Sequence, residues 1–165
     1  MRWFRFAILI LLATILQAGM IDIFAVTGLH IKPDLLLILL VFFAIYSNTT
    51  EAIITSFIIG FNSDIIGLTM GPHIISFGLF GTLLTYLNRV ITIKKMPYQA
   101  VTIFATSVVV GILVILLTSL KGLEAAPHRF SILMGTSIYS GLVGPFFFLP
   151  SVWWMQIKTH RFTRS

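Results

Sequence analysis

Five carboxylates (Asp22, Asp34, Glu51, Asp64, Glu124) and four histidines (His30, His73, His128, His160) are the groups in this 165-residue chain that suit acid–base or metal chemistry. Their spacing argues against both. No two histidines stand four apart and no HExxH occurs, so the facing pair that a helical zinc site needs is missing. Cysteine is absent, which removes disulfides, iron–sulfur clusters and thiolate metal sites together. Serines are numerous, but there is no GxSxG elbow and no Ser–His–Asp grouping at one depth. Gly60, Gly67 and Gly71 are too widely spaced for a dinucleotide fingerprint, and no Walker loop is present. The chain is therefore expected to be no enzyme, with no catalytic residue, cofactor or metal.

The elements that would carry these groups are apolar. Hydrophobic residues make up 58% of the chain and charged residues 10%, against roughly 25% charged in ordinary soluble domains. Too little polar surface remains to cover a soluble core, so most side chains face lipid or buried helices. A net charge of +6 raises nucleic acid as a partner. The bases, however, come one to three at a time between apolar runs, which is the distribution of membrane topology. No nucleic acid is expected.

Six apolar segments follow one another: about Trp3–Met20, Leu35–Tyr46, Ala52–Ile66, His73–Leu87, Tyr98–Leu120 and Phe130–Ile157. As a helix, Leu35–Tyr46 reaches only about 18 Å, against a hydrocarbon core of roughly 30 Å. Short segments persist in membranes where neighbours shield their ends, so a compact all-α bundle is expected over residues 1–165 as a single polytopic domain. A re-entrant hairpin made of the second and third segments would leave the outer topology unchanged. With six spans and both termini cytoplasmic, the inner side carries Arg2, Arg5, Arg89, Lys94, Lys95, Lys158, Arg161 and Arg164, and the outer side Lys32, Lys121 and Arg129. That asymmetry satisfies the positive-inside rule, and Trp153–Trp154 suits an aromatic belt at the inner face. The first segment outlasts a signal peptide and reads as an uncleaved span. Ile21–Lys32 reads as an interfacial helix.

Within the spans the sequence offers packing faces. Ser56, Gly60, Asp64 and Gly67 follow i, i+4, i+8, i+11 spacing, and Ser137, Gly141 and Pro145 repeat the small-residue pattern in the sixth segment. Such faces let helices approach closely, either within one chain or toward a partner. Asp34, after Pro33, opens a helix at the positive end of its dipole. Asp64 is expected near the outer interface, where ionisation costs little. Gly67, Gly71 and Pro72 are expected to make the short reversal that follows it.

The order of these features resembles the MreD family of bacterial rod shape-determining membrane proteins. The likeness rests on Lys32-Pro33-Asp34 before a Leu-rich run, then Gly60-Phe61-x-x-Asp64 with Gly67 and Gly71. It continues with Arg89 after the fourth segment, and Gly141–Pro145 before a basic tail. Asn62-Ser63 departs from it, standing where apolar residues are the pattern. The resemblance implies a non-catalytic scaffold and regulator of peptidoglycan elongation in the bacterial inner membrane. The partners it implies are MreC, RodA with its penicillin-binding protein, MreB and membrane lipid. It implies a fold like that of vitamin-transporter substrate-binding subunits, which makes a ligand-binding subunit of an energy-coupling-factor importer the alternative. On this reading Pro33, Asp34 and the Gly60–Pro72 stretch shape an outer rim and a small-residue groove for a partner's membrane helix.

Overall fold

The least span-like segment turns out to be the centre of the molecule. The computed structural model describes residues 3–19, 33–67, 71–90, 95–122 and 129–155. These form six helices: α1 (Trp3–Gly19), α2 (Leu35–Tyr46), α3 (Thr49–Gly67), α4 (Pro72–Val90), α5 (Met96–Leu120) and α6 (Arg129–Met155). No strand occurs among the described residues. Helix α2 packs against all five others, and ten of its twelve residues are buried. A helix apolar on every side is stable only where neighbours cover every side.

Around α2, α3 pairs with α4 and α5 with α6, while α1 closes the remaining side against α2, α3 and α6. Phenylalanines from separate helices lock the centre edge-to-face. Phe6 of α1 meets Phe43 of α2 at 5.0 Å between centroids, and Phe42 meets Phe148 of α6 at 5.5 Å. Each such pair contributes about 0.5–1.5 kcal/mol beyond area burial.

The exterior reverses the pattern of a soluble domain. Large apolar side chains such as Phe4, Phe61, Leu142, Phe146 and Trp153 are exposed, while Thr55, Ser56, Ser107, Ser137 and Ser140 are buried. Small polar residues inside and apolar ones outside is the arrangement that lipid selects. Helices α5 and α6 are long and apolar enough to cross a membrane.

The polar contacts gather in two layers about 20 Å apart along the helix axes, from the residue separations within α2 and α4 at 1.5 Å per residue. One layer holds Arg5, Ile45, Tyr46, Thr49, Asn88, Arg89, Gln99 and Trp154. The other holds Gln17, Asp34, Asp64, Gly71, His73 and Ser140.

The boundaries of α2 match the sequence expectation. Helix α3 starts three residues earlier, because Thr49–Glu51 form its first turn on the Asn48 carbonyl, which accepts from Ala52 N–H at 2.8 Å. Helix α4 runs on through Asn88–Val90, and α5 starts at Met96 with Pro97 in its first turn, where a missing N–H costs nothing. The expected interfacial helix at Ile21–Lys32 lies outside the described residues. So do the expected helix ends at Met20 and Ile157, and so do Arg2, Lys94, Lys158, Arg161 and Arg164.

Candidate functional site

The N-terminus of α2 lies against α1 and α6, where its unsatisfied amides need partners from other helices. Asp34 is the N-cap residue, in extended conformation at φ −86° and ψ 92°. Its Oδ1 accepts from Leu37 N–H at 3.1 Å and from Gln17 Nε2 at 3.2 Å. The same Gln17 accepts from Leu36 N–H through Oε1 at 3.0 Å. Asp34 N–H donates to Ser140 Oγ at 2.9 Å. Three helices are thus joined at one turn, directly after Pro33. Gln17 and Ser140 were not legible as site residues, although a lone glutamine in an apolar span signals a polar group in need of a partner.

Asp64 does the same for α4. Gly71 is the N-cap of that helix, its carbonyl accepting from Ile75 N–H at 3.2 Å, but it has no side chain with which to cap. The carboxylate of Asp64 reaches across from α3 instead. Oδ2 accepts from Gly71 N–H at 3.0 Å and from Ile74 N–H at 2.9 Å. Oδ1 accepts from His73 N–H at 3.1 Å and meets His73 Nδ1 at 2.9 Å. Pro72, at the first helical position and buried, has no N–H to satisfy. Gly71 takes φ +111°, which only glycine adopts cheaply.

This corrects the expectation that water at the interface keeps the Asp64 charge inexpensive. The side chain is 4% exposed, and four donors replace the water. The reversal does run through Gly71 and Pro72. Gly67 is exposed at the end of α3 and takes no part in the packing face.

The small-residue faces are filled by the chain's own helices. A Cβ on Gly60 would stand 2.7 Å from His73 O and 2.9 Å from Ile74 Cα. Ser56 sits against Gly81, and Phe57 against Gly78. In the other pair, Ser137 donates to Ser107 Oγ at 3.0 Å. A Cβ on Gly141 would lie 3.2 Å from Phe104 Cβ and 3.3 Å from Ala100 O, and Pro145 is buried within α6. Both faces that the sequence offered to a partner helix are therefore occupied, by α4 and by α5.

Between the two caps lies an open pocket of about 250 Å³, walled by α2, α4, α5 and α6. Asp34, His73, Ser107 and Thr136 are its polar lining, with Phe77 and Val110 among its apolar walls. Two larger apolar grooves open on the exterior. One, of about 650 Å³, runs between α4 and α5; the other, of about 600 Å³, runs between α1 and α3. The second contains the only polar contact joining α1 to α3 among the described residues, Asn62 Nδ2 to Thr14 Oγ1 at 3.2 Å. Among the described residues no three of His, Asp and Glu group as a metal site would require.

The family model described as rod shape-determining protein MreD matches residues 1–158. No curated protein and no solved structure matches. With the match running from the first residue through α6, the chain belongs to the MreD family of rod shape-determining proteins.

Proposed function

We propose that this chain is a non-catalytic, multi-pass scaffold of the bacterial inner membrane that holds partners of the peptidoglycan-elongation machinery. The observation that carries the reading is the family match over residues 1–158. The geometry supports it. Asp34 and Asp64 are engaged in helix capping, and the polar side chains between the helices join one helix to another. Six spans with both termini cytoplasmic follow from the charge asymmetry, which puts eight basic residues inside and three outside. The 12-residue α2 fits this topology as a central helix whose ends are capped within the bundle.

The partners are MreC, RodA with its penicillin-binding protein, and MreB, the first through a membrane helix. Since α4 and α5 fill the small-residue faces, the docking surface we assign to MreC is the groove between α1 and α3. Asn62 there uses one amide proton on Thr14, leaving its carbonyl for a donor on the incoming helix. Nothing in the family match favours an importer subunit over a scaffold.

Depletion in a rod-shaped host tests the reading. Rounded cells, restored to rods by the wild-type chain, are expected. Cells that stay rods on complete depletion overturn the shape-determining role.

A further inference from the structure

The groove between α4 and α5 differs from the packing faces in having no helix among the described residues to fill it. Its volume is about 650 Å³, and Leu83, Leu87, Val101 and Val109 in its walls are exposed. On α5 it runs from Tyr98 to Val109, about 16 Å at 1.5 Å per residue. That is half of a hydrocarbon core of roughly 30 Å. Phe80, its far limit on α4, stands near the middle of that helix. The groove therefore opens at the layer of Tyr46, Asn88 and Gln99 and ends near mid-bundle. A partner's spanning helix would need contact through the full thickness, whereas a phospholipid chain occupies one leaflet.

Polarity is confined to the open end. Thr102 donates to the Tyr98 carbonyl at 2.7 Å, so its proton is spent within the helix, and no charged side chain lines the groove. Lys95, Tyr98, Thr102, Ala105 and Val109 fall at i, i+3, i+7, i+10 and i+14, one face of α5. That spacing puts Lys95 at the head of the groove-lining face. It is exposed, and its side chain has no hydrogen bond or ion pair among the described residues. Arg89 is turned the other way, onto Thr49 of α3, and Glu51 in the same turn of α3 offsets its charge. The end dipoles of α4 and α5 oppose each other at this level. One positive charge is left, that of Lys95, above an apolar groove one leaflet deep. Tyr98 suits the depth of a lipid headgroup.

We infer that this groove holds an acyl chain of an anionic phospholipid, with its phosphate on the Lys95 ammonium and the Tyr98 hydroxyl. On the topology proposed above this is the inner leaflet, where basic groups between helices take such headgroups. The inference is independent of the scaffold role, because lipid is counted on purified protein and shape is read in cells.

The test uses the full chain, delipidated in a neutral detergent and titrated with phosphatidylglycerol or with phosphatidylcholine of the same chains. Native mass spectrometry counts the bound lipid. Phosphatidylglycerol is expected to bind about fivefold tighter, the worth of one base against an anionic headgroup. That excess should fade with added salt. Lys95→Gln should abolish the preference and Lys95→Arg keep it; neither removes a capping bond, because the Lys95 side chain makes none. Ala105→Phe, at an exposed position in the groove wall, should remove one bound lipid of either kind with the helical spectrum unchanged. Equal affinity for the two lipids, a preference that survives Lys95→Gln, or a full lipid count in Ala105→Phe overturns the inference. Loss of co-purified MreC in Ala105→Phe, with the lipid count unchanged, assigns the groove to a partner helix and overturns it too.

Discussion

The Asp64 cap makes a quantitative prediction, because one side chain satisfies four donors. In Asp64→Asn the shape is kept, but only one terminal atom still accepts. The new NH₂ would face either the Gly71 and Ile74 amides or the two His73 donors. Two hydrogen bonds to a charged acceptor are lost, at about 1.5–3 kcal/mol each. Relief from burying a full charge offsets part of this, leaving a net loss of about 3 kcal/mol. For a chain of this length that lowers the thermal midpoint by about 6–12 °C. Circular dichroism in detergent measures it, with the low-temperature spectrum confirming that the helices remain. A midpoint within about 2 °C of wild type, well short of that fall, would refute the capping argument. If shape complementation were nevertheless lost, Asp64 would be a contact for a partner and not a structural cap.

Four further substitutions probe separate parts of the bundle. Gly60→Ala places a Cβ 2.7 Å from the His73 carbonyl, a backbone atom that cannot step aside, and should cost about 1–3 kcal/mol in unfolding measurements; Gly19→Ala, which meets nothing within 4 Å, is the neutral control. Gln17→Leu removes the bonds to Asp34 and to Leu36 N–H and should destabilise by about 2–3 kcal/mol, since a buried amide loses its acceptor. Ser76→Ala should be neutral or raise stability by up to about 1 kcal/mol, because the Ser76 hydroxyl is buried without a partner among the described residues. Asn62→Leu should leave folding nearly unchanged while reducing co-purification of MreC; full recovery would move the docking site away from the α1–α3 groove.

The six helices were legible because apolar runs in a membrane chain have few other uses. Helix α2 was legible to the residue, since Pro33-Asp34 starts it and Ser47-Asn48 ends it. The edges of α3 and α4 were misjudged because hydropathy marks apolar content, while a helix continues as long as its backbone bonds do. Asn88 illustrates this: it reads as polar and terminal, yet it is helical and donates to Ile45 O at 2.9 Å. The spacing of Ser56, Gly60 and Asp64 correctly marked one face, but spacing cannot say which helix fills that face. The joining of Gln17 to Asp34 and of Asp34 to Ser140 was not legible at all. Those bonds span 17 and 106 residues and exist only once the bundle is assembled.

These distant caps also indicate which part of the bundle yields most readily. In lipid, apolar contact alone gives helices little reason to choose one neighbour over another, so cross-helix hydrogen bonds and close small-residue contacts set the arrangement. Helix α2 is held at both ends: Gln17 and Ser140 at one, Asn88 on Ile45 O and Gln99 on the Tyr46 hydroxyl at the other. The α3–α4 and α5–α6 pairs are closed by glycine contacts that a shift of either helix would break. Helix α1 has no such glycine contact, and it is tied by a few side-chain bonds. Those are Gln17 at one end, Arg5 exchanging bonds with Trp154 at the other, and Thr14 with Asn62 between them. A partner helix entering the α1–α3 groove would therefore exchange one polar contact and leave the core intact. The same displacement at the α3–α4 face would expose the Asp64 carboxylate to hydrocarbon, and that difference in cost is the physical reason for placing the partner beside α1.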